Sequence, residues 1–530
     1  MPPAAPEGST SAQPRLPPEA SNGRLSFALI RPQPDSRENR VSPVIRSSLI
    51  SERVEVVRWR RRSCTCSPTR SSRGCHQLRG PPVPGRTGAP RTQAARRSPH
   101  RPVPARRPVR SALHDWLTEV QLPMTTVPDL PDATEALEHF PFDDGRGIEV
   151  HERFRELRER AGLLRVRLDY GEPTWLVTRY ADARLVLGDP RFSRAMSVGR
   201  DFPRQEEATE LAGLITMDAP EHTRLRTLLV KALSKSRIDA QRPTVHATAD
   251  ALLSSAMDAG PGMDIVVDYA QQMSVLSICD LLGVPASDRE AFESTSAALL
   301  PGSAIGAEDM MRRFGELRAC TERLIAERRA RPRDDLMSAM IQARDEEDRL
   351  TDAELIELVV SMLLARFEAI ITQIPNCVYV LTRGDRALWN RLRANPAELP
   401  AAVEELLRNN ASAGAGLFVR YAREDVNVGG TLVRAGEALT IAVESANHDP
   451  ARFEDPDAID FTRPPGGHLT FGYGAHYCVG AQLGRIDLQE GLRVLLTRAP
   501  ELTVRDLTWR VRPHIRGPVA MRVTWQGDPE

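Results

Sequence analysis

The sequence lacks any uninterrupted run of the roughly 18 apolar residues that a membrane-crossing helix needs. We therefore expect no membrane-spanning segment and no membrane partner. The seven cysteines show no paired framework, which is typical of a protein kept reduced in the cytoplasm. Lysine is nearly absent although arginine is abundant, which indicates a GC-rich bacterial genome. No internal repeat is found.

Charge and proline are unevenly distributed along the chain. The 530 residues are formally neutral, with 71 basic and 71 acidic side chains, but residues 1–123 hold 22 Arg, eight acidic residues and 19 of the 42 prolines. This segment carries +14 and the remainder −14. It has no apolar period that could compensate the entropy of ordering, so we expect 1–123 to be a disordered Arg/Pro-rich extension.

The origin of this extension has three interpretations. It resembles a transit peptide or a basic nucleic-acid-binding arm in composition. We favour a third: an over-extended gene start, with translation properly beginning at Met124 and no nucleic-acid partner. Residues 124–530 then form one domain of 407 residues.

Helical periodicity dominates residues 124–530. Short amphipathic helices are predicted in "DATEALEHFPF" and "HERFRELRERAG", and a hairpin with its turn at Tyr170–Gly171. "TDAELIELVVSMLLARFEAIITQIPNCVYVL" predicts a long buried helix capped by Thr351 or Asp352. Short strands joined at Gly429–Gly430 follow. The expected fold class is mainly α with a small β region.

One cysteine stands out by its surroundings. Cys478 lies in "HLTFGYGAHYCVGAQLGR", where glycines allow the backbone to approach a flat ligand, just before an apolar helical pattern. Free amides and the dipole at a helix N-terminus favour a thiolate. With no second cysteine nearby, zinc and iron–sulfur ligation are disfavoured. A single strongly donating axial ligand to haem iron fits best.

"FGYGAHYCVG" resembles the haem-binding loop of the cytochrome P450 family, Phe-Gly-x-Gly-x-His/Arg-x-Cys-x-Gly, and every fixed position is present. The resemblance implies heme b (iron protoporphyrin IX), with Cys478 as the iron ligand and Phe471, Gly472 and Gly480 as cofactor-binding residues of the loop. It extends in order from about residue 140 to the end of the chain.

Two further groups of residues match the family. Glu405 and Arg408 in "EELLR", with Arg463, resemble its buried Glu–Arg–Arg cluster, which supports the haem loop. The resemblance also assigns the haem propionates to four basic side chains: His222, Arg226, Arg420 and His476.

The oxygen-activation motif departs from the family pattern Ala-Gly-x-Glu/Asp-Thr, since the long helix reads "ARFEA". Glu368 matches the acid, Arg366 replaces glycine and Ala369 replaces threonine; these three are the candidate catalytic residues. Arg366 either pairs with a neighbouring helix or binds a substrate carbonyl or carboxylate in the distal pocket. Without the threonine hydroxyl, either the substrate supplies the polar group or the reaction differs from plain hydroxylation.

The resemblance implies a monooxygenase acting on a small-molecule substrate with molecular oxygen. No flavin or ferredoxin domain is present in the sequence, so electrons would come from a separate ferredoxin and ferredoxin reductase. We expect a cytoplasmic monomer that oxidises a secondary metabolite by hydroxylation or by oxidative C–C or C–N coupling. Alternatives are a haem-thiolate sensing protein and a peroxide-driven peroxygenase. Charge alone suggests ferredoxin-docking candidates: Arg224, Lys231, Lys235 and Arg485.

Overall fold

The computed structural model describes residues 137–142, 147–205, 213–298, 307–347, 350–412, 419–510 and 515–525. The chain divides into two units, Met1–Met124 and Thr125–Glu530, and every described residue belongs to the second. The predictions for residues 1–123 and for a start at Met124 lie outside the described residues.

Fourteen helices are found in the described part of the chain. They are α1 Arg153–Glu159, α2 Tyr180–Gly188, α3 Glu221–Ala232, α4 Lys235–Ala240, α5 Arg242–Ala259, α6 Gln272–Leu282, α7 Arg289–Ala298, α8 Ala307–Ala330, α9 Leu336–Glu347, α10 Asp352–Thr382, α11 Ala387–Ala394, α12 Leu399–Asn409, α13 Val443–Ala446 and α14 Ala481–Arg498. A π-helical segment, Ile265–Gln271, leads into α6. The expected mainly helical class is confirmed.

The described strands are short. They are β1 Glu138–His139, β2 Leu164–Arg167, β3 Thr174–Val177, β4 Phe192–Ser193, β5 Gly262–Asp264, β6 Arg420–Ala422, β7 Val426–Val428, β8 Thr431–Val433, β9 Ala438–Ile441, β10 Thr503–Trp509 and β11 Pro518–Thr524. A six-stranded mixed sheet has the order β1-β2-β3-β9-β6-β4, a three-stranded antiparallel sheet the order β10-β11-β5, and β7 pairs with β8.

Most local predictions agree with these elements. The strands β2 and β3 pair as the expected hairpin, and Gly171 in its turn has a φ of +87°. Gly429 and Gly430 form the predicted turn between β7 and β8. The helix predicted in "DATEALEHFPF" is wrong in its described part, because Glu138–His139 is a strand that pairs in parallel with β2. There the backbone pairing of a sheet edge outweighs weak helical periodicity.

The long helix α10 runs through the largest hydrophobic cluster of the protein. It begins with a complete capping box: the Thr351 hydroxyl accepts from the Glu354 N–H, and the Glu354 carboxylate accepts from the Thr351 N–H. Buried residues from α6 and α14 pack in the same cluster. This places α10 and the helix that follows Cys478 in one core, which fixes their relative position.

One described segment, Ile265–Leu282, is apolar and long enough to cross a membrane by length and hydropathy alone. It reaches this limit although it contains Asp268 and Asp280. Since 72% of the segment is buried inside the protein, it is a core helix here.

Candidate functional site

The loop before α14 is folded tightly around Cys478. The Cys478 N–H donates to the Phe471 carbonyl at 2.8 Å, and α14 begins three residues after the cysteine. Gly472 and Gly474 both have a φ of +72°, and a Cβ on Gly474 would lie 2.7 Å from the Leu187 carbonyl oxygen. Only glycine fits such a position. The predicted placement of Cys478 near a helix N-terminus is confirmed.

The Cys478 side chain is exposed, whereas Cys279, Cys320 and Cys377 are buried. Desolvation by the surrounding protein nevertheless raises the pKa of the thiol. The Gly480 N–H, then Arg226 and Arg485, act in the opposite direction. The sulfur is therefore accessible to a ligand and faces groups that favour a thiolate.

Four basic side chains predicted from the sequence are brought toward this loop. The rings of His222 and His476 lie 4.1 Å apart, and Arg226, one turn after His222 on α3, donates to the Tyr477 carbonyl. His222 and Arg420 are buried, with 2% and 3% of their surface exposed. Together these residues form the basic cluster: His222, Arg226, Arg420 and His476.

The basic cluster is poor in compensating negative charge. Burial, then Arg420 and His222, lowers the pKa of His476 to about 3. Burial, then Arg194, lowers the pKa of Arg420 to about 9, and Asp218 acts against both shifts. The Nε2 atom of His222 is buried without a hydrogen-bond partner. A ligand that brings carboxylates would satisfy these donors, so the cluster fits the propionates of haem.

The expected support cluster is present beneath the loop. Glu405 and Arg408 are 4% and 2% exposed and form two hydrogen bonds of 2.9 and 2.7 Å. Arg463 joins Glu405 at 3.2 Å. Arg408 also donates to the carbonyls of Asn447, Pro456 and Ala458 at 2.9, 2.8 and 3.0 Å. The cluster therefore ties α12 to the segment that precedes the cysteine loop.

Arg366 forms an ion pair with a neighbouring helix. Its Nη2 lies 2.6 Å from Asp487 Oδ2 on α14 and donates to Ser277 Oγ on α6 at 2.5 Å. The first of the two sequence interpretations is thus confirmed. The second, a substrate-binding group in the distal pocket, stays a prediction. Here the guanidinium is engaged between helices, because a buried charge needs a partner of opposite sign.

The other two candidate catalytic residues lie beside Arg366 on α10. Ala369 is exposed, as is Ala365 one turn before it. Glu368 Oε1 lies 3.4 Å from Arg510 Nη1, at the end of β10, and the Glu368 side chain is 28% exposed. The alanines therefore form an accessible stripe, flanked by a carboxylate.

Three ferredoxin-docking candidates are engaged in ion pairs. Arg224 pairs with Glu354, Lys235 with Asp239, and Arg485 with Glu404 at 2.5 Å. Lys231 is exposed on α3. The resemblance to the P450 family also suggests four pocket-lining segments, residues 198–215, 297–306, 413–417 and 514–521. Of these, residues 206–212, 299–306, 413–417 and 514 lie outside the described residues.

Sequence reasoning missed Asp487, Ser277, Arg510 and Glu404. Asp487 could have been found, since a carboxylate stands among the apolar positions of α14 and a buried acid implies a buried cation. Arg510 could not, because its contact with Glu368 joins residues 142 positions apart.

The fold and this set of donors fit a haem-thiolate protein: an accessible cysteine at a helix start, beside a basic cluster in which the buried Nε2 atom of His222 has no hydrogen-bond partner. A sequence profile described as Cytochrome P450 matches residues 391–498. The mycinamicin IV hydroxylase/epoxidase of Micromonospora griseorubida is 42% identical over 391 residues, covering 73% of this chain and 98% of the relative.

Two further comparisons agree. The nocardicin C N-oxygenase of Nocardia uniformis subsp. tsuyamanensis is 42% identical over 393 residues, with the same coverage of both chains. Among solved structures, a mutant of the mixed-function P450 MycG in complex with mycinamicin IV matches with a TM-score of 0.71 and 41% identity, covering 73% of this chain and all of that one.

The chain belongs to the cytochrome P450 family. It is a bacterial enzyme of the monooxygenase type, related to hydroxylases, epoxidases and N-oxygenases of secondary metabolism, and haem-iron binding is inherent to that family.

Replacing Arg408 by alanine should prevent stable haem incorporation. The change leaves the Glu405 carboxylate without its bidentate partner in the interior, at a cost of roughly 3–5 kcal/mol. Haem content per protein and the melting temperature are the measurements. Arg391→Ala, which breaks a partly exposed pair with Glu398, should change neither. Full haem content in Arg408→Ala would contradict the support role.

Glu404→Gln should destabilise the protein in a pH-dependent way. Burial alone would raise the pKa of Glu404, but hydrogen bonds from His468 and Arg485 outweigh it and hold the pKa at about 2, below the usual 4.5. A depressed pKa stabilises above pH 4.5, and this contribution disappears as pH falls toward 2. We expect a loss of roughly 2–3 kcal/mol at neutral pH.

Urea unfolding of both proteins between pH 7 and pH 3 measures this difference. The gap between Glu404→Gln and the unmodified chain should shrink toward the acid end. Asp309→Asn, in an exposed pair with Arg312, serves as the control. A gap that stays constant with pH would show that Glu404 titrates normally.

Proposed function

We propose that this chain binds heme b with Cys478 as the iron ligand and inserts oxygen from molecular oxygen into a small secondary-metabolite substrate. The observation that supports this most is the accessible Cys478 beside the basic cluster, in which the buried Nε2 atom of His222 has no hydrogen-bond partner. Zinc is a poorer fit, because within the described residues no group of three His, Cys, Asp or Glu side chains could hold a metal ion.

In this proposal the basic cluster holds the haem propionates. The loop residues Phe471, Gly472 and Gly480 shape the backbone around the cysteine, and the cluster of Glu405, Arg408 and Arg463 keeps that loop in place. The haem would supply the activation of oxygen. Glu368, next to the accessible alanine stripe, would hold and release a proton on the distal side.

The substrate is proposed to be a secondary metabolite of the kind that the relatives' names record, such as mycinamicin IV or nocardicin C. Electrons would come from a ferredoxin and a ferredoxin reductase, and the enzyme would act as a cytoplasmic monomer. Oxidative C–C or C–N coupling is the second candidate. Ala369 favours it, since the motif lacks the hydroxyl that normally assists proton delivery.

Substrate-dependent NADPH consumption tests this proposal against its alternatives. Purified protein, ferredoxin and reductase are mixed with a panel of metabolites that shift the haem absorption band. An oxygenase consumes NADPH faster with a true substrate, whereas a sensing protein binds the metabolite without consumption. Product formed from peroxide alone, without the electron partners, would indicate a peroxygenase.

Cys478→Ser should abolish the red-shifted band that the reduced enzyme gives with carbon monoxide. Thiolate donation, unlike imidazole or hydroxyl donation, alters the electronic spectrum of the haem. Activity should be lost together with the band. Cys320→Ala, at a buried position of α8, should keep both. Persistence of the band in Cys478→Ser would exclude this cysteine as the ligand.

Ala369→Thr should change coupling differently for different substrates. If the true substrate carries the polar group that orders water near bound oxygen, the enzyme is well coupled with it already. The added hydroxyl should then help analogues lacking that group and leave the true substrate unaffected or worse. Product formed per NADPH consumed is the measurement. Equal coupling for all substrates in both proteins would show that position 369 has no part in proton delivery.

A further inference from the structure

Arg366 is part of a closed network that joins three helices. Its guanidinium contacts Asp487 on α14 and Ser277 on α6, and the Ser277 hydroxyl donates to Asp487 Oδ1 at 3.2 Å. The Arg366 side chain is 9% exposed and that of Asp487 is fully buried. The helix that follows Cys478 is therefore connected to the helix that carries the oxygen-activation motif by one buried ion pair.

The same network also reaches the backbone of α10. Ser274, one turn before Ser277 on α6, directs its hydroxyl to the Arg366 carbonyl at 3.5 Å. Both the side chain and the carbonyl of one residue are thus in contact with the neighbouring helix. Contacts to both restrain rotation of α10 about its axis as well as its distance from α6.

The alanine stripe lies between two such contacts. In an α-helix Arg366 is rotated about 100° from Ala365, and Glu368 about 60° in the other direction. On one side of the alanine stripe, Arg366 pairs with Asp487 of α14. On the other side, Glu368 Oε1 lies 3.4 Å from Arg510 Nη1. The direction in which Ala365 and Ala369 face is consequently set by charged contacts on both flanks.

Stability alone is a weak reason to keep this pair. Two charges lose their hydration on burial, and replacing a buried ion pair by apolar residues of similar volume is often neutral or stabilising. Burial indeed raises the pKa of Asp487, with Arg366 acting against the shift. The Ser277 hydroxyl, which accepts from Arg366 and donates to Asp487, makes the network directional, and directional contacts hold one geometry, which apolar side chains do not.

We propose that Arg366 and Asp487 are positioning residues, which hold the Ala365–Ala369 face of α10 in a fixed orientation relative to α14, the helix that follows Cys478. In the oxygen-activation motif, Arg366 stands where the family has glycine. A residue without a side chain is thus replaced by one whose side chain is held by Asp487 and Ser277. This inference rests on the proposed haem site at Cys478.

The test is the double variant Arg366→Met/Asp487→Leu in the full-length holoenzyme. Because both charges are removed, we expect a melting temperature close to that of the unmodified protein and a normal carbon monoxide band. The affinity for imidazole, a probe that binds the distal side of the iron, should change severalfold. Amide hydrogen exchange in residues 363–372 should become faster. A changed carbon monoxide band would show that the variant alters the proposed haem site itself. That outcome is distinct from an unchanged band with unchanged imidazole affinity, which would contradict the positioning role alone.

The control is a matched buried pair elsewhere, Arg328→Met/Asp335→Leu, whose partners lie 2.5 Å apart. It should leave imidazole affinity and exchange in 363–372 unchanged. If Arg366→Met/Asp487→Leu also leaves both unchanged, the positioning role is wrong. Should that variant fail to bind haem, Arg366→Lys is the second test of the positioning role. A lysine keeps the positive charge but lacks the planar guanidinium with its several donors. A severalfold shift in imidazole affinity supports the proposal, and an unchanged value overturns it.

Discussion

The hydrogen-bonded pair of Glu405 and Arg408 is the constraint on which the cysteine loop depends. Arg408 uses three of its donors on carbonyls of a segment with little regular structure, Asn447, Pro456 and Ala458. Loops of this kind have few backbone partners of their own, so a rigid helix must supply them. The pair thereby fixes the chain that leads to Cys478 relative to α12.

The site beside this loop gathers basic side chains whose repulsion Asp218 offsets only in part. His222, His476 and Arg420 all have lowered pKa values, because burial disfavours their protonated forms. Neighbouring cationic side chains add to this effect, with Arg194 acting on Arg420 and Arg420 acting on both histidines. Such an arrangement costs stability unless a ligand brings negative charge. Folding and haem binding are therefore expected to be linked, since the ligand relieves a repulsion that the empty fold would contain.

Local sequence patterns predicted the parts of the structure that depend on neighbouring residues. The N-cap at Thr351, the glycine turns and the start of α14 all follow from residues a few positions apart. The cysteine motif identified the family for the same reason. The strand Glu138–His139 could not be predicted in this way, because its pairing with β2 is a contact across 28 residues. The partners of Arg366 and Glu368 lie even farther away along the sequence. The sequence alone could predict only that a buried Arg366 needs a partner of opposite charge.

The two departures from the family motif have different physical consequences. At position 369 alanine stands where the family has a hydroxyl, which leaves the accessible face of α10 apolar. Under the proposed function, the task of ordering water would pass to Glu368 or to the substrate. At position 366 a charge is added, but it lies on the flank of the helix and is neutralised by Asp487. The first change alters what the site can bind, whereas the second alters how firmly the site is held. An apolar face contributes few directional contacts of its own, so a substrate on it must be oriented by shape. Orientation by shape requires that the helix face beside the substrate keeps a fixed orientation. The buried pair of Arg366 and Asp487 between α10 and α14 can provide this restraint.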